Sequence, residues 1–297
     1  MSDSKIFAEW IAAASVPPAR PRRSGTRAFL ARLPRAARVA ALVLLVYALV
    51  SALAPWLAPF SPAEIFVGAP FEPPSATHFL GTDALGRDVF SRVLYGGRTA
   101  LLMAGGAALL TTAVGGALGL VLSYCGGLAD EIGMRFLEVL ASIPSVILAL
   151  LVVGALGPSI AVVVVTVGLL AVPSSTRVVR AAALAFVAED FVLAARARGE
   201  GRLAIALREI LPNVAGTLLV EFSIRTGWAV ILIGALAFLG FGAPPPTPDW
   251  GAMINEGRGG LDASIWPVVA PAAAIAALVL TVNLLTDGIA RALGPAR

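Results

Sequence analysis

Six long apolar stretches constrain this chain more than any other feature: residues 39–60, 99–124, 135–156, 159–176, 214–241 and 266–290. About 20 helical residues, at about 1.5 Å each, cross the hydrocarbon core of a bilayer, and each stretch meets or approaches that length. Lipid offers the backbone no hydrogen bonds, so stretches of this length span as helices. The sequence therefore predicts an all-α polytopic membrane protein with six transmembrane helices. A mean hydropathy of +0.89 agrees. Gly157 and Pro158 alone separate the third and fourth stretches, which predicts a tight hairpin. Pro144, inside the third, predicts a kink, because proline has no N–H to donate.

Several function classes fall away at once. A single cysteine, Cys125, makes an intrachain disulfide impossible, and with His78 as the one histidine no zinc or haem site is expected. A membrane-embedded enzyme needs paired acids, Ser/His or metal ligands within the spans, and scattered acids do not supply them. The basic balance, pI near 10.0, reads as arginine held in inner loops and not as a nucleic-acid surface. No GxxxxGK[ST] phosphate loop occurs, so the chain is not expected to hydrolyse ATP.

Arginine and lysine give the orientation. Lys5, Arg20, Arg22, Arg23, Arg27, Arg32, Arg35 and Arg38 precede the first span. With that segment inside, Arg135, Arg177, Arg180, Arg196, Arg198, Arg202, Arg208, Arg291 and Arg297 also fall inside. Only Arg87, Arg92, Arg98 and Arg258 fall outside, and Arg225 lies within the fifth span. That asymmetry places both termini in the cytoplasm. The expected organisation is a basic cytoplasmic segment (1–38), retained and not cleaved, and a first span (39–60). An extracytoplasmic segment with an amphipathic helix (61–98) follows. A five-helix core (99–290) contains a cytoplasmic loop over 177–213, and a short tail (291–297) closes the chain.

Four regions invite a functional reading. In GTDALGRDVFSRVLYGGRTALL, Asp83 is placed to cap a helix starting at Ala84 and Leu85. Val89, Phe90, Val93 and Leu94 then suggest an amphipathic helix on the membrane surface. In FLGFGAPPPTPDWGAMINEGR the prolines stiffen the backbone. Pro245, Pro246, Asp249 and Trp250 form either a rigid lid over the span ends or a docking surface for an extracytoplasmic partner. Glu221 and Arg225, at i and i+4 in the fifth span, share a face and can pair. They are either a structural pair or part of the substrate path.

The fourth region is EDFVLAARARGEGRLAIALREILPN, residues 189–213. Glu189 and Asp190 suit a helix N-terminus, and Gly199 suits its stop. A short helix over 191–198 would present Phe191, Ala194 and Ala195 on one side, flanked by Arg196 and Arg198. A second helix from Arg202 carries Leu203, Ala206, Leu207, Ile210 and Leu211 along one face, and Pro212 ends or bends it. The residue pattern alone leaves two readings: an interfacial helix on anionic lipid, or a face that another protein approaches.

This stretch resembles the cytoplasmic loop of binding-protein-dependent ATP-binding-cassette (ABC) importer permeases. The resemblance rests on Ala194, Ala195, Gly199, Ile210, Leu211 and Pro212. GTDALGRDVFSRVLYGGR, FLGFGAPPPTPDWGAMI and NLLTDGIARALGP are similar to signatures of the dipeptide, oligopeptide and nickel permease subfamily, in the right order over about residues 78–295. Two departures stand out: Leu193 replaces the usual Glu before the Ala-Ala pair, and Ile233 occupies a position where many relatives carry Glu.

The resemblance implies a type I ABC importer transmembrane-subunit fold in a bacterial inner membrane. It implies a homologous second permease in a heterodimer, two ATPase subunits docked at loop 189–213, and an extracytoplasmic solute-binding protein. ATP and Mg²⁺ would sit on the ATPase chains, with no cofactor on this one. The implied cargo is di- or oligopeptide, with nickel chelates, glutathione or another small polar solute as alternatives. An ATP-independent secondary transporter or channel is the reading from another class.

Overall fold

The computed structural model describes residues 33–293. Most of the basic N-terminal segment, and the tail from 294 onward, lie outside the described residues. Among the described residues the structure is helical, with one isolated β-bridge between Thr82 and Asp88.

Helix α1 (Arg35–Ala52) stops earlier than the apolar stretch suggests. Pro55 has no N–H to give the Ser51 carbonyl, so the chain turns at Leu53 and resumes as the short α2 (Ala54–Leu57). Helix α3 (Val89–Cys125) is unbroken over 37 residues, about 55 Å. It outreaches a hydrocarbon core of about 30 Å and projects from the membrane. The surface helix expected within 61–98 is therefore absent as a separate element. Its residues Val89, Phe90, Val93 and Leu94 are the first turns of α3 itself. Asp83 caps no helix. Asp88 does so instead, accepting from the Ser91 N–H at 2.8 Å.

The third expected span is not one helix. Helix α4 (Gly127–Ala141) breaks at Pro144, and α5 (Ser145–Leu156) departs at 81°. A kink was expected; the bend is larger because Pro144 sits at the N-cap of α5 in an extended conformation. Helix α6 (Ile160–Leu170) bends by 43° into α7 (Val172–Val187), so this segment runs 11 residues beyond the expected 176. Helix α8 (Asp190–Ala197) follows. Helix α9 (Arg202–Ile205) leads through a π-helical turn (Ala206–Ile210) into α10 (Leu211–Phe238). Helix α11 (Trp250–Gly257) precedes α12 (Trp266–Leu293). Among the described residues four segments are membrane-length apolar helices, and the total is six if each of the two bent pairs is one span.

Small residues and buried polar groups hold the bundle together, as they must where lipid removes the hydrophobic drive between helices. A Cβ on Gly115 would meet Ser175 at 2.8 Å, and one on Gly119 would meet backbone atoms of Thr176 and Arg180 at 2.9 Å. That pair thus sets the closeness of α3 to α7. Thr111 donates to the Gly168 carbonyl at 2.7 Å, and Tyr47 to the Ala274 carbonyl at 3.0 Å, tying α3 to α6 and α1 to α12. Outward faces such as Leu42, Leu45 and Leu49 are exposed and apolar, as lipid contact requires.

Two apolar clusters divide the length of α3. One joins Val89, Met103 and Ala107 to Val153, Val167, Leu236, Trp250 and Leu278. The other joins Leu120, near the opposite end of α3, to Val179, Ala183, Val192, Ala195, Ile205, Ile210 and Val214. Residues 53–88 and α11 therefore gather at one end of the bundle, and α8 and α9 at the other.

Candidate functional site

At the α8 end, the short helix forms where its terminal signals stand. Asp190 places negative charge in the first turn. The helix closes as a Schellman motif: Gly199 (φ +77°) donates to the Arg196 carbonyl at 3.0 Å and Glu200 to the Ala195 carbonyl at 3.2 Å. Arg198 then pairs with Glu200 at the surface, at 2.6 Å.

The phase of α8 differs from the expected one. Val192 and Ala195 are fully buried and seat the helix in an apolar cluster with Leu120 of α3, Val179 and Ala183 of α7, Ile205 of α9, Ile210 of the π turn and Val214 of α10. Phe191, Leu193 and Ala194 are exposed, and so form the outward face. Ala195 belongs to the seat and not to the presented surface, and Val192, which sequence reading left out, is its partner. The signal was there in a β-branched apolar residue three positions before an alanine. Arg196 is exposed but not free of the bundle. Its guanidinium lies 4.9 Å from the Tyr124 ring centre and Nε donates to the Tyr124 hydroxyl at 3.3 Å, pinning α8 to α3.

The second helix is also out of phase with its sequence reading. Ile205, Ala206 and Ile210 are buried, Leu211 is half-buried, and Leu203 and Leu207 are exposed. The π turn is the reason: it accommodates one extra residue and rotates everything before it relative to α10. Pro212 neither ends nor breaks the helix. The helical run continues through it, and the π turn lies just before it. The Asn213 side chain donates to the Glu209 carbonyl at 2.6 Å.

Glu221 and Arg225 do meet, Nε to Oε2 at 2.8 Å, and Glu221 is buried within the bundle. Ile233 is packed in the larger apolar cluster.

At the other end, the candidate docking residues separate into two kinds. Pro245 and Pro246 are exposed. Asp249 and Trp250 are buried anchors and offer no docking surface. Asp249 accepts from Gly251 at 2.9 Å and Ala243 at 3.2 Å, capping α11. Burial pushes its carboxyl above the usual range, against the pull of those N–H groups. The Trp250 indole donates to the Val93 carbonyl at 3.0 Å, and its ring lies where a Cβ on Gly96 would sit at 2.6 Å. Only glycine at 96 admits it.

A charge network the sequence did not reveal fixes the same end. Asp83 accepts from the Arg87 side chain at 2.7 Å and from Arg92, and Glu256 takes both arginines at 2.6 and 2.8 Å. Asp83 also accepts from the Leu85 and Arg87 backbone N–H groups, at 2.9 and 3.0 Å. His78 pairs with buried Asp88 at 3.0 Å and stacks on Phe60. Glu256 lies 169 residues from Arg87, too far for spacing to suggest the pair. Among the described residues no group of His, Cys, Asp and Glu could hold a metal ion.

Comparison with known proteins places this arrangement. Residues 115–297 match the family described as binding-protein-dependent transport system inner membrane component. The chain is similar to the dipeptide transport system permease protein DppC of Haemophilus influenzae, 36% identical over 88% of this chain and 90% of the relative. It is also similar to the glutathione transport system permease protein GsiD of Escherichia coli, 39% identical over 87% of this chain and 86% of the relative. In fold it is similar to a chain of the MetNI methionine ABC transporter in an inward-facing conformation. The TM-score is 0.56 at 18% identity, covering 69% of this chain and 97% of that one.

Proposed function

The chain belongs to the family of binding-protein-dependent transport system inner membrane components, and on that premise we propose that it forms half of the translocation path of a peptide importer, driven through α8. It is a multi-pass permease subunit of an ABC importer and not an enzyme; ATP is hydrolysed on a separate subunit. In our reading the other half of the path is a homologous second permease, and both termini are cytoplasmic, as the arginine asymmetry indicates. Two ATPase subunits then dock at the α8 end, and a solute-binding protein at the α11 end. The cargo class rests on the relatives whose names specify dipeptide and glutathione.

One observation carries the coupling assignment. Helix α8 is seated on its own chain by Val192 and Ala195 and turns Phe191, Leu193 and Ala194 outward. We read that exposed apolar face, on a loop otherwise rich in charge, as a surface for a protein partner. Leu193, standing where the resemblance leads one to expect Glu, makes that contact one of shape. When ATP closes the ATPase dimer, α8 moves with its groove. The seat transmits the displacement to α3 and α7, and the continuous run from α9 through the π turn carries it into α10. The path then exchanges inward for outward access.

The test is uptake of labelled dialanine or glutathione into vesicles holding the complete transporter. We expect uptake to require ATP and the binding protein and to survive collapse of the ion gradients. Uptake that needs only an ion gradient would assign a secondary transporter instead.

A further inference from the structure

Resting on that importer reading, we propose that a cavity at the outer end of α3 is an entry subsite for the cargo's carboxylate, held by Arg98. Tyr95, Arg98, Thr99 and Leu102 stand at i, i+3, i+4 and i+7 on one stripe of α3 and open on a cavity of about 360 Å³. Pro246 and Pro248 line its opposite wall. The volume lies within the range of small-molecule sites, about 300–1,000 Å³.

The lining is mostly apolar, with few polar groups, and those are unengaged. Arg98 makes no ion pair or hydrogen bond with any described residue, and neither does the Tyr95 hydroxyl. Its neighbours on the same end behave differently: Arg87 and Arg92 are each neutralised by Asp83 and Glu256. Arg98 is also the last charge before the uncharged run of residues 99–124. Arg98 is exposed on the rim of the cavity, at the mouth of the apolar segment, so its guanidinium is open to an anionic group that enters there. The planar guanidinium fits a carboxylate through two parallel hydrogen bonds, and the Tyr95 and Thr99 hydroxyls add uncharged donors beside it. Peptides carry a free carboxylate.

An anionic lipid headgroup presents the same chemistry. Cargo is favoured because the opposite wall is protein. Pro246 and Pro248 belong to the loop that Asp249 and Trp250 fix against α3, at the end where we place the binding protein.

The experiment uses the complete transporter with its binding protein, reconstituted in two kinds of vesicle. One contains phosphatidylethanolamine with phosphatidylglycerol, the other phosphatidylcholine alone. Labelled dialanine and glutathione are the probes, with Arg98→Gln and Arg98→Lys as variants. Losing a charge-assisted contact should lower uptake by Arg98→Gln about tenfold to a hundredfold, equally in both lipids. Arg98→Lys should fall in between, and ATP hydrolysis stimulated by the binding protein should stay at the wild-type level. Unchanged uptake by Arg98→Gln would overturn the proposal. So would a loss confined to phosphatidylglycerol vesicles, which would assign a headgroup site, or a parallel loss of stimulated hydrolysis, which would assign a role in docking. Wild-type vesicles that take up neither probe, or do so without ATP, would instead overturn the importer reading beneath it.

Discussion

The two ends of α3 are built on opposite principles. At the α11 end, charges meet in fixed pairs: buried Asp83 with half-buried Arg87 and buried Arg92, exposed Glu256 with both arginines, and buried Asp88 with His78. Trp250 fills the space left by Gly96. Each group there has one satisfactory position, since an unpaired buried charge is costly. At the α8 end, Val192 and Ala195 are buried in one apolar cluster with Val179, Ala183 and Ile205, and Arg196 over Tyr124 is the polar addition. Apolar contacts are not directional, so that seat tolerates small shifts that a charge network does not. The difference suits the proposed work: a rigid frame where cargo enters and an adjustable joint where force arrives.

The largest expected effect lies in the frame. Asp83→Ala leaves Arg92 buried with only Glu256 and removes the acceptor for the Leu85 and Arg87 N–H groups. A loss of about 4 kcal/mol is expected, read as a fall of several degrees in the melting midpoint of the purified transporter. A change under about 1 kcal/mol would mean the network is solvated and the contrast overstated. A smaller effect is expected in the joint. Ala195→Leu overfills a fully buried site and should cost about 2 kcal/mol, with uptake falling further than stability because α8 is tilted off its seat. The smallest is Arg196→Ala, about 0.5–1 kcal/mol for a surface cation over an aromatic ring. Its mark should be greater hydrogen exchange across 190–197 with α11 unchanged. Equal exchange at both ends would erase the distinction.

Sequence reasoning reached the spans and the short helix because periodicity, Asp190 and Gly199 are local signals. It failed on phase where a local irregularity intervened. The π turn at Ala206–Ile210 leaves no mark in the hydrophobic pattern, which points to Leu203 and Leu207 where the structure buries Ile205. It failed on the frame for a different reason. Arg87 and Glu256 meet only through the fold, and a tryptophan near a span end reads equally well as an interfacial anchor and as a plug for a glycine gap. Residues whose roles depend on neighbours far along the chain carry no local signature.

Coupling through α8 is tested most directly on its outward face, where substitution leaves the seat intact. Phe191→Ala and Ala194→Arg should change the permease's own stability by less than about 0.5 kcal/mol. In the reconstituted transporter both uptake and the binding-protein stimulation of ATP hydrolysis should fall by about tenfold or more, the loss of a central interface contact. Uptake and stimulated hydrolysis within twofold of wild type in both variants would contradict coupling through this helix.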